Sequence, residues 1–304
     1  MDTPKRWNDP QTDNRYYKDT YKQPSVTTIL STRDSDSSGL DNWRRKNNGE
    51  GTNPDWQHLF WYKRHRGTLC HWAALSQVAE NLPYSNDEYQ SRYELYLQHG
   101  DEVAVDSPRE VLYSVLKDRD VINGYGDMYQ QHNPHATTDT FKKALWDVVD
   151  SDIAFFKQTF AYIIDTLNID SIIAVERFLL NHKYGFGGQV DLVIRYEDGT
   201  TAICDLKTSS GNRDKNKLQL AAYAKAVEMD DDINVDTIDH TEVWRIHPDT
   251  GTFQLHSNVA KTPLHTTSYW NESVTESWEQ FHELCLGFHD EIDVQQVTEP
   301  DTET

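Results

Sequence analysis

Two textures in the sequence predict a mixed α/β (α+β) fold, helical in its first half and strand-rich in its second. Ile153, Phe156, Phe160, Ile163 and Leu167 recur at the spacing of one helix face. Residues 172–180, 188–196 and 201–207 are instead short runs rich in Ile and Val, which is the pattern of strands. Helices first, then a hairpin–helix unit, give a central mixed sheet flanked by helices.

In order along the chain, residues 1–22 are polar and mixed and predict a flexible lead-in. Pro24-Ser25-Val26-Thr27-Thr28-Ile29-Leu30 predicts either a short strand or a helix start, and residues 31–55 are polar and rich in Gly and Asn. Residues 56–79 predict a helix around Leu59, Leu69, Trp72 and Ala73, weakened in the middle by Gly67. Ser107-Pro108-Arg109-Glu110 has the pattern of a capping box with Pro at the first helical position, and Val111, Leu112, Val115 and Leu116 follow it. Phe141, Leu145, Val148 and Val149 predict another helix before the stripe at 153–167. After the three strands, residues 215–228 predict a helix, 241–246 and 252–255 two strands, and 278–289 a last helix. Residues 289–304 carry Asp290, Glu291, Asp293, Glu299, Asp301 and Glu303 and predict a disordered acidic tail. The expected organisation is therefore one domain over 23–288, with a helical insertion or arch at 81–167 and a core at 171–260.

The chain has 304 residues, with 9 Trp, 16 Tyr and 10 Phe, enough aromatic side chains to exclude wholesale disorder. Its apolar runs are a few residues long, whereas a membrane span needs ~20, so a membrane partner is not expected. No secretory signal is visible at Met1-Asp2-Thr3-Pro4-Lys5. Cys70, Cys204 and Cys285 stand too far apart for a disulfide framework or a metal cluster, which fits a reducing cytoplasm. The formal net charge of −21 repels nucleic acid at ordinary ionic strength. A halophilic setting resolves this, because the Debye length falls to ~3 Å at 1 M salt. An acidic partner protein is the blander explanation.

The chemistry concentrates in Gly188-Gln189-Val190-Asp191, in Asp205-Leu206-Lys207, and in Gln219 and Tyr223. Residues two apart on a strand share a face, so Asp205 and Lys207 stand side by side; alone, this is an ordinary ion pair. Asp191 changes the odds, because a hairpin at Asp198-Gly199 brings its strand beside Asp205. A two-residue turn sets the aspartates on opposite faces. A three-residue loop, Glu197-Asp198-Gly199 with Gly199 left-handed, sets Asp191 opposite Asp205. A cation shared by both demands the three-residue loop, since a slip of one residue turns every side chain over. Gln219 and Tyr223 share a helix face. Basic groups stand out in so acidic a chain: Arg213, Lys215 and Lys217, then Lys63, Arg64 and Arg66, then Arg44, Arg45 and Lys46. They suggest a phosphate-facing groove, against the plainer reading of dispersed salt bridges.

Gly188-x-x-Asp191, Asp205-x-Lys207-Thr208 and Gln219-x-x-x-Tyr223 together resemble the PD-(D/E)XK nuclease superfamily, and within it the RecB-type exonuclease branch. Arg66-Gly67-Thr68-x-x-His71 resembles that branch's upstream histidine motif. Pro24–Leu30 and Val175-Glu176 are similar to segments of the mitochondrial genome maintenance exonuclease and its phage relatives. The resemblance covers about residues 16–80 and 172–228. It implies a restriction-endonuclease-like core and a Mg²⁺- or Mn²⁺-dependent deoxyribonuclease, most simply an exonuclease on single-stranded DNA or DNA ends. It also admits a virus-encoded protein.

By that resemblance Asp191 and Asp205 bind the metal with His71 and the Leu206 carbonyl, and Lys207 serves the attacking water or the phosphate. Glu176 serves a second metal or a metal-bound water, while Gln219 and Tyr223 hold the site and touch DNA. Arg64, Arg66, Arg213, Lys215 and Lys217 are the expected DNA contacts, with Trp61, Tyr62 and Tyr223 as candidate stacking residues. The four cysteines of the iron–sulfur relatives are lacking, so no cluster is expected. A structure-specific endonuclease, a non-catalytic nucleic-acid-binding module and an acidic interaction protein remain the alternatives.

Overall fold

The structure, a computed structural model, describes residues 5–8, 15–18, 22–33, 66–67, 69–71, 73–75, 126–127, 129–131, 133–208, 213–248, 251–259, 267–269 and 272–291. The chain begins with three short antiparallel strands: β1 (Lys5–Asn8), β2 (Arg15–Lys18) and β3 (Lys22–Pro24). The flexible lead-in expected for residues 1–22 is thus corrected to include strand pairing. These strands are too short and polar to show alternation in the sequence. The Pro24–Leu30 stretch resolves into a helix, α1 (Val26–Ser31), and the Ser25 hydroxyl caps it by accepting the Thr28 N–H at 3.0 Å. Ser25 also forms an isolated parallel bridge to Gly187.

A second sheet forms the centre. Its order is β4 (Ile169–Asn181), β5 (Phe186–Tyr196), β6 (Thr201–Lys207), β7 (His240–His247), β8 (Thr252–Ser257) and β9 (Thr267–Tyr269). It is mixed, with β6/β7 and β8/β9 parallel and the other pairs antiparallel. A parallel pair needs a long crossover, and α3 (Arg213–Val227) supplies the one from β6 to β7. β6 is buried on both faces, which is why Ala202, Ile203 and Cys204 follow one another without a polar residue between them.

One face of the sheet packs on α2 (Thr138–Thr166) and the helical residues 69–71 and 73–75, through Phe156, Phe160, Leu192, Leu206 and Trp244. α2 is a single helix of 29 residues that joins the two stripes read separately in the sequence. The other face packs on α1, α3 and α4 (Val274–Glu291), through Val26, Ile29, Leu220, Val243 and Phe281. α4 starts before the expected residue 278, because Ser273 and Glu276 form a reciprocal capping box, and it runs into the segment read as tail. There His289 Nε2 lies 2.9 Å from the Gly185 carbonyl. The result is a sheet between two helical layers, the restriction-endonuclease-like α/β core expected. The helix read over 56–79 is described only between 66 and 75. The helix at 107–116, most of the 81–167 stretch and residues 292–304 lie outside the described residues.

Candidate metal centre

The hairpin joining β5 to β6 decides which acidic groups can meet. Tyr196 N–H donates to the Thr200 carbonyl at 2.9 Å, leaving Glu197, Asp198 and Gly199 as a three-residue loop with Gly199 at φ 86°. Leu192 pairs with Cys204 and Arg195 with Thr201. This is the register that sets Asp191 level with Asp205. Glu176 stands level with Asp191 on β4, since Val175 pairs with Leu192 and Arg177 with Val190. Three acidic residues therefore form one row across three strands.

The row is irregular where the chemistry gathers. Glu176 has φ 48°, the left-handed region, at a cost of ~1–3 kcal/mol for a residue with a side chain. On β5, Val190 and Val193 both enter the core under α3 while Leu192 enters the opposite one, so strict alternation fails beside Asp191. The Asp191 carboxylate turns across to β6, where Oδ2 accepts the Leu206 N–H at 2.7 Å. Gln189 Nε2 donates to Glu176 Oε2 and, at 3.4 Å, to the Glu176 carbonyl.

The second oxygen of each carboxylate faces His71. His71 Nδ1 lies 3.2 Å from Glu176 Oε1 and 3.4 Å from Asp191 Oδ1, and Nε2 lies 3.1 Å from the Leu206 carbonyl. The helical residues carrying His71 are anchored by burial of Leu69, Cys70, Ala73 and Ala74 and by Arg66, whose guanidinium lies 3.8 Å from Asp152 on α2. Ligand atoms of His71, Glu176 and Asp191 all fall within 4.8 Å of one another.

The electrostatics follow from this crowding. Burial works against charge on His71, yet Asp191 and Glu176 carry its imidazole up to about 9. Burial raises Asp191; His71 opposes the rise, and the neighbouring Asp205 and Glu176 add to it. Lys207 lies 2.7 Å from each Asp205 oxygen and donates to Oδ1. Burial disfavours its ammonium too, but Asp205 and Asp191 hold its pKa above the ordinary lysine value. Asp205 is 3% exposed and its Oδ2 receives no hydrogen bond among the described residues.

The sequence pattern of the PD-(D/E)XK nuclease superfamily matches residues 58–286, well over half of the chain. The chain belongs to the PD-(D/E)XK nuclease superfamily. PD-(D/E)XK nucleases use divalent metals to cleave DNA, and the group that converges here, two carboxylates and an imidazole, fits such an ion. No curated protein matches the chain. Among solved structures, the crystal structure of SSO0001 is similar at 16% identity, covering 71% of this chain and 95% of that one, with a TM-score of 0.26.

Within this PD-(D/E)XK fold the expected residues divide. His71, Asp191 and the Leu206 carbonyl come together, and Glu176 joins them directly. Asp205 stands next in the row but outside the three-residue donor group, held by Lys207. Gln219 donates to the Tyr223 hydroxyl at 3.2 Å. Tyr223 is 5% exposed, with its ring so close to Gly188 that an added Cβ there would stand 2.3 Å from it. The ring thus packs against β5 at Gly188. Of the expected DNA contacts, Arg66 is buried beside Asp152, and Lys217 lies 3.1 Å from both Asp214 and Glu272. Lys215 is half-buried on α3. Arg64, Lys63, Trp61, Tyr62, the group at Arg44–Lys46 and the Arg213 side chain lie outside the described residues. Gln189 is the residue that sequence reasoning missed; its only signal is its place inside Gly188-x-x-Asp191. Among the described residues no helix is long and apolar enough to cross a membrane.

Proposed function

We propose that this PD-(D/E)XK protein is a Mg²⁺- or Mn²⁺-dependent deoxyribonuclease of the RecB type, acting as an exonuclease on single-stranded DNA or DNA ends. The observation that carries the reading is the convergence of His71, Glu176 and Asp191 on one point beside the Asp205–Lys207 pair. Two carboxylates this close repel unless a cation lies between them. In the metal-free fold His71 plays that part as an imidazolium.

His71, Glu176, Asp191 and the Leu206 carbonyl would hold the ion, with Asp205, now paired with Lys207, next to them in the row as a further ligand. A bound divalent cation supplies Lewis-acid polarisation of a phosphoryl oxygen and a more acidic water. The chain supplies the rest. Leu206 N–H and Gln189 fix the carboxylates. Lys207, kept cationic by Asp205 and Asp191, stabilises negative charge developing on the phosphate. Gln219 and Tyr223 keep α3 seated against β5 at Gly188. Residues 23–288 serve as one nuclease unit around the 171–260 core, to which α2, the last part of the 81–167 stretch, adds a packed layer instead of an arch. The charge of −21 supports a high-salt working environment.

The test uses end-labelled linear DNA and closed circular single strands, with Mg²⁺ or Mn²⁺ and with EDTA. The reading requires metal-dependent loss of linear DNA, EDTA inhibition, and intact circles. Cut circles would move the assignment to an endonuclease, and metal-independent or absent cleavage would overturn it.

A further inference from the structure

The row of acidic residues is restrained in a way that bears on which ion it accepts, an inference that rests on the metal reading above. Asp191 and Glu176 are treated alike. Each has one oxygen tied to an N–H donor of the protein and the other aimed at His71. For Asp191 the donor is the backbone of Leu206, at 2.7 Å. For Glu176 it is the side chain of Gln189, which also reaches the Glu176 carbonyl at 3.4 Å. A carboxylate held this way offers a cation one oxygen, not two.

That restriction separates ions by size. Ca²⁺ takes six to eight oxygens and commonly draws both oxygens of a carboxylate, whereas Mg²⁺ takes six ligands in near-ideal octahedral geometry. We propose that Gln189 is a specificity-determining residue that keeps Glu176 a one-oxygen ligand and so selects Mg²⁺ or Mn²⁺ over Ca²⁺. The Asp191 donor is main chain and cannot be removed by substitution. Gln189 is therefore the position at which selectivity can be changed. Glu176 makes the arrangement sensitive, because its left-handed backbone at φ 48° directs the side chain, and Gln189 bonds both ends of that residue. Gln189 itself is only half-buried, so it can be exchanged without opening the core.

The test is calorimetric titration of the metal-free full chain with Mg²⁺, Mn²⁺ and Ca²⁺, comparing wild type with Gln189→Leu and Gln189→Asn. Circular dichroism and thermal melting without metal report the fold. Loss of a residue that orients a ligand typically costs ~10–100-fold in metal affinity. The expectation is a loss of that size for Mg²⁺, with Ca²⁺ affinity unchanged or higher, so that the Ca²⁺/Mg²⁺ preference shifts by about tenfold or more. Folded variants with equal losses for all three ions, or none, would overturn the role of Gln189 and leave the metal centre standing. A wild type that prefers Ca²⁺ overturns it whatever the variants do. A folded wild type that takes up no ion removes the metal reading and this proposal together.

Discussion

At the end of β5, Tyr196 and its neighbours enclose Glu242; partway along the same strand, Asp191 meets Glu176 and His71. Both places bury carboxylates in one sheet, and Glu242 is the more buried, at 0% exposed against 7% for Asp191. Glu242 is met by donors. Its Oε2 accepts from the Tyr196 hydroxyl and from Trp244 Nε1, each at 2.8 Å, with the Cys204 thiol at 3.8 Å, and His240 Nε2 lies 3.2 Å from Oε1. Tyr196 stacks on His240 and, with its pKa driven far up by burial and then by Glu242, stays a neutral donor. The strands around it pair in regular register. At Asp191 the neighbours are other acids, the backbone is strained at Glu176, and one imidazole serves two carboxylates. Burial of an acid is therefore a poor sign of a functional site. Like charges brought together with too few donors are a better one.

The contrast is tested most strongly by Asp205→Ala and Asp191→Ala. Each should lower cleavage by ~10³-fold or more, the scale of a lost electrostatic stabiliser, with the circular dichroism spectrum retained. Activity near wild type in either variant would end the division between the two clusters. Glu242→Ala should do the reverse. Removing the acceptor shared by Tyr196 and Trp244 deprives two buried donors of it, at ~1–3 kcal/mol each in urea denaturation, while cleavage per folded molecule stays unchanged. Gly188→Ala probes the seam between core and site. Its methyl would stand 2.3 Å from the Tyr223 ring, an overpacking worth ~1–3 kcal/mol, and it should be relieved by a second change, Tyr223→Leu, in the same denaturation assay.

The smallest effect sharpens the comparison through pH. His71 in the metal-free fold sits at about 9, above the ~6.5 of a free imidazole. Its raised value stabilises the metal-free fold fully below pH ~6.5, and that contribution fades as pH climbs through the folded value. A cation competes for the same nitrogen, so metal affinity should rise with pH across that window by up to ~tenfold per unit. Calorimetry in two buffers of different ionisation enthalpy measures the proton released. No proton release between pH 7 and 8.5 would show that His71 is not displaced.

Much of the core was legible in the sequence because local chemistry fixed it. Asp198-Gly199 carries the turn that sets the β5–β6 register, and Gly199 takes the positive φ that the loop requires. The short runs rich in Ile and Val located β4, β5 and β6 to within a few residues. The central place of Glu176 was not legible, since nothing in its neighbours announces a left-handed residue inside a strand. The tethering of Arg66 and Lys217 was hidden for a different reason. Their partners, Asp152 and Glu272, are remote in sequence and adjoin them only once α2 and α4 have docked. Ser273-Val274-Thr275-Glu276, by contrast, is a capping box that could have placed the start of α4 without the structure.

The bridge from Ser25 to Gly187, with Val26, Ile29 and Leu30 packed among residues of α3 and α4, separates the order of synthesis from the order of assembly. On the ribosome α1 emerges early, but the surfaces that cover it are made last. Roughly 250 residues lie between α1 and α4, so at ~5–20 residues per second the apolar side of α1 waits ~10–50 s for its partners. A pause in translation after α2 would lengthen the exposure, while one after α4 would not.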